Sequence, residues 1–354
     1  MRMLTLDPDA LRRFAALALH LDEEADVAAI SVEPMPGGAS TRSYFRVRTA
    51  DASAIVMFVP DAKPDEITSG AAPTRWPFLE VRDLLEARGV RVPRVLAEDC
   101  AAGLLALEDL GDVTLAAFLE QAPARKEEIY RAAVRDLGRA QIALAELPEG
   151  SIVRSRAFDE TLLRWEIDHF REWGLDARDL PLDAADRAAF DGIADRLARR
   201  VAALPRVFVH RDYQSRNLMV VPGASGGADA AELVWIDFQD ALMGPRVYDL
   251  VALLGDSYQT FTRDFIEARL DDYASARDLA SERASIGEEF DLVTVQRKLK
   301  DAGRFVFIDR VKKNPSFLQY VEPTIAKVLG ALERLRGDED MRALEALLRK
   351  RLGL

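Results

Sequence analysis

The stretch that decides the fold reads Val207-Phe208-Val209-His210-Arg211-Asp212-Tyr213-Gln214-Ser215-Arg216-Asn217, then Leu218 to Val221. A small loop follows, and then Leu233-Val234-Trp235-Ile236-Asp237-Phe238-Gln239-Asp240. Each short apolar run delivers acid or amide groups at its end. Runs of this length read as buried strands, and polar side chains at strand ends are where sites are built. An Asp within His-Arg-Asp is followed five positions later by Asn217, and Asp237 stands after a further strand. That is the spacing of phosphoryl-transfer chemistry, which needs a carboxylate to orient the attacking hydroxyl and accept its proton. It also needs oxygen ligands that hold Mg2+ against nucleotide phosphates. Asp212 suits the first role, and Asn217 and Asp237 the second. A single Asp at a strand end reads as a turn or a cap, whereas five matching positions in this register do not.

The chain has 354 residues, enough for two ordinary domains, and its 49% hydrophobic and 31% charged content is that of a globular protein. No apolar run reaches the ~20 residues of a membrane helix. The first residues lack a long apolar core, so a cytoplasmic protein is expected. One cysteine, Cys100, rules out an internal disulfide and a cysteine-rich metal cluster. The net charge of −12 argues against a nucleic-acid partner, whose phosphates need a basic surface. Nucleotide binding stays open, because Mg2+ supplies positive charge there. The three histidines, His20, His169 and His210, are too scattered for a zinc site.

Ahead of the deciding stretch, helical periodicity over 7–21 is followed by a strand, turn and strand over 31–48. The turn Pro36-Gly37-Gly38-Ala39-Ser40-Thr41 can bring backbone N–H groups to phosphate, so Gly38, Ser40, Thr41 and Arg42 are candidate nucleotide contacts. The strand over 53–59 places Met57 where kinases carry a phosphate-binding lysine. Arg42, Arg46 and Lys63 are all possible replacements. A polar loop over 63–77 and a helix over 78–88 come next, with Glu80 on that helix. Strands are expected over 91–96 and 103–107. The second ends in Glu108-Asp109-Leu110-Gly111-Asp112, where backbone groups of Glu108 and Leu110 can read an adenine. The domain boundary is placed there, giving 1–109 and 110–354. Helices follow over 115–121, 125–147, 158–173 and 184–204. Gly244-Pro245 reads as a turn entering a helix, in which Asp249 caps or braces the catalytic loop. The segment 293–313 is basic and helical.

Together, Val209 to Met219 and Ile236 to Ala241 resemble the aminoglycoside phosphotransferase and choline kinase family. More narrowly, several features are similar to the bacterial N-acetylmuramate/N-acetylglucosamine 1-kinases of cell-wall recycling. They are Gly38-Ala39-Ser40 with Arg42, Tyr44 to Val47, Leu107 to Gly111, Gly244-Pro245 with Tyr248-Asp249-Leu250, and Gln296-Arg297 with Leu299-Lys300. The resemblance implies an α+β, two-lobed, protein-kinase-like fold with a small β-rich N-lobe and a larger helical C-lobe. It implies ATP and Mg2+ as cofactors, a small-molecule sugar as acceptor, and a monomer. Gln214, Arg216 and Arg297 become candidate acceptor contacts beside Asp212. His210, Arg211, Asp240 and Asp249 become supports. An aminoglycoside or choline-like acceptor, or a weakly catalytic regulatory module, are the competing readings. Three positions depart from the family's pattern: Arg211 stands for glycine, Gln239 for the glycine after Asp-Phe, and Met57 for the strand lysine.

Overall fold

The computed structural model describes residues 6–21, 27, 29–36, 42–60, 76–223 and 231–354. The chain divides into two compact units, Met1–Gln121 with Arg216–Asp240, and Ala122–Ser215 with Ala241–Leu354.

In the first unit, helix α1 (Pro8–Ala18) starts at an Asp7 cap, whose carboxylate accepts from the Asp9 N–H at 3.1 Å, with Pro8 in the first turn. Strands β1 (Ser31–Pro34), β2 (Ser43–Arg48), β3 (Ser53–Phe58), β4 (Val95–Asp99) and β5 (Leu104–Glu108) form one antiparallel sheet in the order β1-β2-β3-β5-β4. Strand alternation sorts its side chains onto two faces. Val47, Ala54, Val56, Phe58, Leu104 and Ala106 pack on Leu11 and Phe14 of α1. On the other face, Met57 and Leu105 pack on Leu79 of helix α2 (Pro77–Ala87). The first of the two later strands begins at Val95 rather than Arg91. Residues 91–94 contain Pro93, and the Arg91 carbonyl instead accepts from the Trp235 N–H at 2.9 Å.

Strands β7 (Leu218–Pro222) and β8 (Ala231–Trp235) pair antiparallel in this unit, with Leu218 opposite Trp235. The ribbon is tied to the segment before helix α3 (Leu115–Gln121) by the Val220 N–H on the Val113 carbonyl, 2.8 Å.

The second unit is mainly helical: α4 (Lys126–Ala143), α5 (Glu160–His169), α6 (Ala184–Ala202), α7 (Tyr248–Leu254), α8 (Arg263–Ala276), α9 (Arg283–Lys312), α10 (Val321–Arg334) and α11 (Glu339–Leu352). The helix expected over 158–173 is α-helical only to His169, and Phe170–Leu175 form a π-helical turn. Strands β6 (Arg206–Val209) and β9 (Leu242–Pro245) pair antiparallel. The turn expected from Gly244 into a helix is therefore made by Arg246 and Val247, and Gly244 and Pro245 end a strand. Four residues with a glycine and a proline carry too little alternation to announce one, and β6 supplies the hydrogen bonds. Helix α9, about 45 Å long at ~1.5 Å per residue, is the spine of this unit. It lies close enough to α5 that a Cβ on Gly303 would come 2.6 Å from the His169 carbonyl oxygen. Among the described residues, no helix is long and apolar enough to cross a membrane.

Candidate active site

In the second unit the loop 210–215 leaves β6 and is held from below. The Asp249 carboxylate, fully buried at the start of α7, accepts the His210 N–H at 2.7 Å and the Arg211 N–H at 3.0 Å. The Asp212 N–H donates to His210 Nδ1 at 3.3 Å. At the far end, the Ser215 N–H donates to the buried Asp256 carboxylate at 3.1 Å. Arg211 has φ +81°, the left-handed region that favours glycine. This is why a glycine suits the position, and why the arginine needs support. The Arg211 N–H is held by Asp249, and the Arg211 carbonyl accepts from Arg297 Nη1 at 2.9 Å.

Asp212 keeps 38% of its side chain exposed. Its Oδ1 accepts from Gln214 Nε2 and from Arg297 Nη2, both at 3.3 Å. Burial opposes ionisation, but Arg297, Lys300, Arg211 and His210 outweigh it and hold the carboxyl below the usual carboxylate range. Asp212 is therefore a carboxylate at neutral pH. For Asp249, burial outweighs the two N–H donors and Arg297, and its carboxyl is pushed up to about 7.

Arg297 itself is fully buried on α9, with its guanidinium 4.6 Å from the Tyr248 ring centroid. Its two terminal nitrogens donate to Asp212 and to the Arg211 carbonyl, the contacts of a positioning residue. Beside it, the Asp301 carboxylate takes Lys298 Nζ at 2.8 Å and Lys300 Nζ at 3.4 Å. Burial disfavours the Lys300 charge, but Tyr248, Asp301 and Glu166 outweigh it, so the ammonium is held.

In the first unit, Asn217 and Asp237 flank one end of the β7–β8 ribbon. The Ile236 N–H donates to the Asn217 carbonyl at 3.1 Å, which joins the two segments directly. Asp237 is exposed with φ +65°. Gln239, at the position of the usual glycine, donates Nε2 to Asp237 Oδ1 at 3.0 Å and to Asp240 Oδ2 at 3.1 Å. Phe238 is buried against Phe78 of α2, ring centroids 5.0 Å apart. A carboxylate and an amide side chain at one ribbon end fit a hard cation that takes its remaining oxygens from phosphates and water.

Arg46, one of the three possible substitutes for the strand lysine, is committed elsewhere. It is buried, and its guanidinium donates to Asp112 Oδ2 at 2.9 Å, Asp109 Oδ1 at 3.2 Å and the Gly111 carbonyl at 3.1 Å. It fastens the turn after β5. Glu108 is similarly occupied: its carboxylate takes Arg91 through two bonds of 2.9 and 2.7 Å and the Arg94 N–H at 3.1 Å. Among the described residues the Leu110 backbone makes no hydrogen bond. Arg42 is half-buried just before β2 and Arg216 is exposed. Gly38, Ser40, Thr41 and Lys63 lie outside the described residues.

Three residues at the base of the loop gave no functional signal in the sequence. Asp256 sits after α7, and Asp301 follows the basic run on α9. Glu166 is completely buried within α5. It stands among Leu163, Ile167 and Phe170 at helical spacing, and a carboxylate on such an apolar face is the one sign that could have singled it out.

A sheet-bearing unit, a helical unit, and a His-Arg-Asp loop braced by a buried aspartate define the protein-kinase-like class of small-molecule phosphotransferases. The chain belongs to the phosphotransferase enzyme family, whose family model matches residues 31–284. It is 34% identical over 308 residues to an N-acetylmuramate/N-acetylglucosamine kinase of Pseudomonas aeruginosa, covering 83% of each chain. It is 34% identical over 328 residues to the kinase of the same name from Neisseria meningitidis, covering 86% of this chain and 90% of that one. Its fold is that of a Plasmodium vivax ethanolamine kinase, with a TM-score of 0.61 at 13% identity over 87% of this chain and 85% of that one.

Proposed function

We propose that the protein transfers the γ-phosphoryl group of ATP to the anomeric hydroxyl of N-acetylmuramate or N-acetylglucosamine. One observation carries the acceptor class: the P. aeruginosa and N. meningitidis relatives, aligned over 83% and 86% of this chain, are both N-acetylmuramate/N-acetylglucosamine kinases. The residues support the chemistry. The acceptor oxygen forms a bond to the γ-phosphorus while the bond to the ADP oxygen breaks. Asp212, ionised and fixed by Arg297 and Gln214, orients the hydroxyl and takes its proton as the transfer completes. A positioned base of this kind is worth ~10²–10⁴-fold in rate. Asn217 and Asp237 would hold Mg2+, which when bound neutralises charge on the phosphates. Gln239 keeps the Asp237 carboxylate oriented. The unpaired Leu110 backbone can read the adenine edge.

The test is ATP consumption with Mg2+ over N-acetylmuramate, N-acetylglucosamine, glucose, choline and kanamycin, with the product's phosphate located by NMR. A 1-phosphate from the acetylated sugars is expected. Turnover confined to choline or kanamycin would overturn the acceptor and leave the phosphotransferase chemistry standing.

A further inference from the structure

Next to Asp212, the second unit contains polar atoms that the loop's bracing does not use. Glu166 on α5 and Gln296 on α9 are both completely buried. Gln296 Nε2 donates to Glu166 Oε2 at 2.8 Å, which leaves Glu166 Oε1 and Gln296 Oε1 without a partner. The Tyr248 hydroxyl, on the ring that carries the Arg297 guanidinium, is also buried without a partner. Lys300 lies one helical turn beyond Gln296 on the same face of α9, and its charge acts on Asp212 as well as on Glu166. Buried acceptors are almost always satisfied, and each one left bare costs about 1–3 kcal/mol. Three bare groups in one cluster, beside the loop that holds the base, are what a polar ligand would complete.

We propose that Glu166, Gln296, Tyr248 and Lys300 form the subsite that reads the acceptor's 2-acetamido group. Glu166 Oε1 and Gln296 Oε1 offer acceptors to its N–H. The Lys300 ammonium and the Tyr248 hydroxyl offer donors to its carbonyl oxygen. Arg297, between this cluster and Asp212, turns its terminal nitrogens to the Arg211 carbonyl and the Asp212 carboxylate. The subsite rests on the amino-sugar reading of the active site and deepens it. A site built to hydrogen-bond an N–H discriminates strongly against acceptors without one, because its own polar groups are then left unpaired.

Kinetics of Glu166→Gln and Lys300→Met test this, with N-acetylglucosamine and glucose as acceptors and Mg-ATP saturating. Glu166→Gln keeps the shape of the side chain, which limits any loss of folding, and thermal unfolding of both variants is measured alongside. In each variant kcat/KM for N-acetylglucosamine should fall about 100-fold or more. For Glu166→Gln that for glucose should stay within about threefold, so the preference between the two sugars collapses. Lys300→Met also removes a charge that favours the Asp212 carboxylate and should lower glucose turnover too, but by less than that of N-acetylglucosamine. The KM for ATP should not move. An equal fall for both sugars, or a lower Tm with the preference intact, would show a purely structural cluster and overturn the subsite. A wild-type enzyme inert on acetylated sugars would instead remove the reading on which the subsite rests.

Discussion

At the residue scale, the chemistry of Asp212 depends on what surrounds its carboxylate. Arg297 is the largest of the groups that favour its charge, and it also holds the Arg211 carbonyl in a left-handed loop. The carboxylate is the active form, so activity is lost as pH falls through its pKa. That pKa lies below the usual carboxylate range. Stability follows the same sign: the contribution of a depressed carboxyl is present above its unfolded pKa and is lost as pH falls through the folded one. Replacing Arg297 with methionine removes the main opposition to burial and raises the Asp212 pKa. The acidic limb of kcat/KM should move to higher pH, and kcat at neutral pH should drop about tenfold or more as the base loses its orientation. A pH–rate profile of Arg297→Met with its acidic limb unmoved would show that Arg297 acts only on folding.

At the scale of elements, β3 and β2 explain what became of the kinase lysine. Met57 is 1% exposed and packs with Leu79 and Leu105 between the sheet and α2. This position has been given to the core. Arg46, opposite Ile55 on the adjacent strand β2, clamps the turn after β5 through Asp109, Asp112 and Gly111. Restoring a lysine at Met57 should therefore fail as a gain of function. Burying an ammonium among these apolar side chains costs several kcal/mol, so Met57→Lys should unfold at a markedly lower temperature with no improvement in the KM for ATP. A variant with tighter ATP use and an unchanged Tm would mean that the site can still accept the usual phosphate contact. Helix α9 makes the same point for the second unit. Gly303 lets it approach the α5 backbone, and within two turns of that glycine it carries Lys300 and Arg297. Packing and chemistry share one helix.

At the scale of the whole molecule, the base and the candidate metal ligands belong to different compact units. Asp212 lies in the one formed by Ala122–Ser215 and Ala241–Leu354, while Asn217 and Asp237 lie in the other. Loss of each should therefore have its own signature. A ligand that binds only the folded protein stabilises it by about 2.7 kcal/mol at a free concentration 100 times its Kd. Mg-ATP should raise the Tm of the wild type and of Asp212→Asn alike, while Asp212→Asn loses turnover. Asp237→Asn should lose the Mg-ATP shift together with turnover. Differential scanning fluorimetry of the three proteins decides this. A shift retained in Asp237→Asn would mean that this carboxylate does not hold the metal-bound nucleotide.

Local chemistry and chain direction were enough to read the class. His210, Asp212, Asn217 and Asp237 stand at the ends of short continuous apolar runs within one stretch of the chain, and such runs read as buried strands with no partner in view. The helical second half and the sheet at the start were legible from local periodicity. The β7–β8 pairing was legible as a hairpin from its short connection, whereas tertiary structure alone joined β6 to β9, because hydrogen-bond partners tens of residues away leave no mark on local periodicity. It also decided which partners the cations take. Arg297 closes on Asp212 across 85 positions of sequence and Arg46 on Asp112 across 66. The pairing of Glu166 with Gln296 across 130 positions was likewise hidden. A charge in a helix reads as a solvated face until packing encloses it, and only the folded chain shows which charges have been enclosed, and against what.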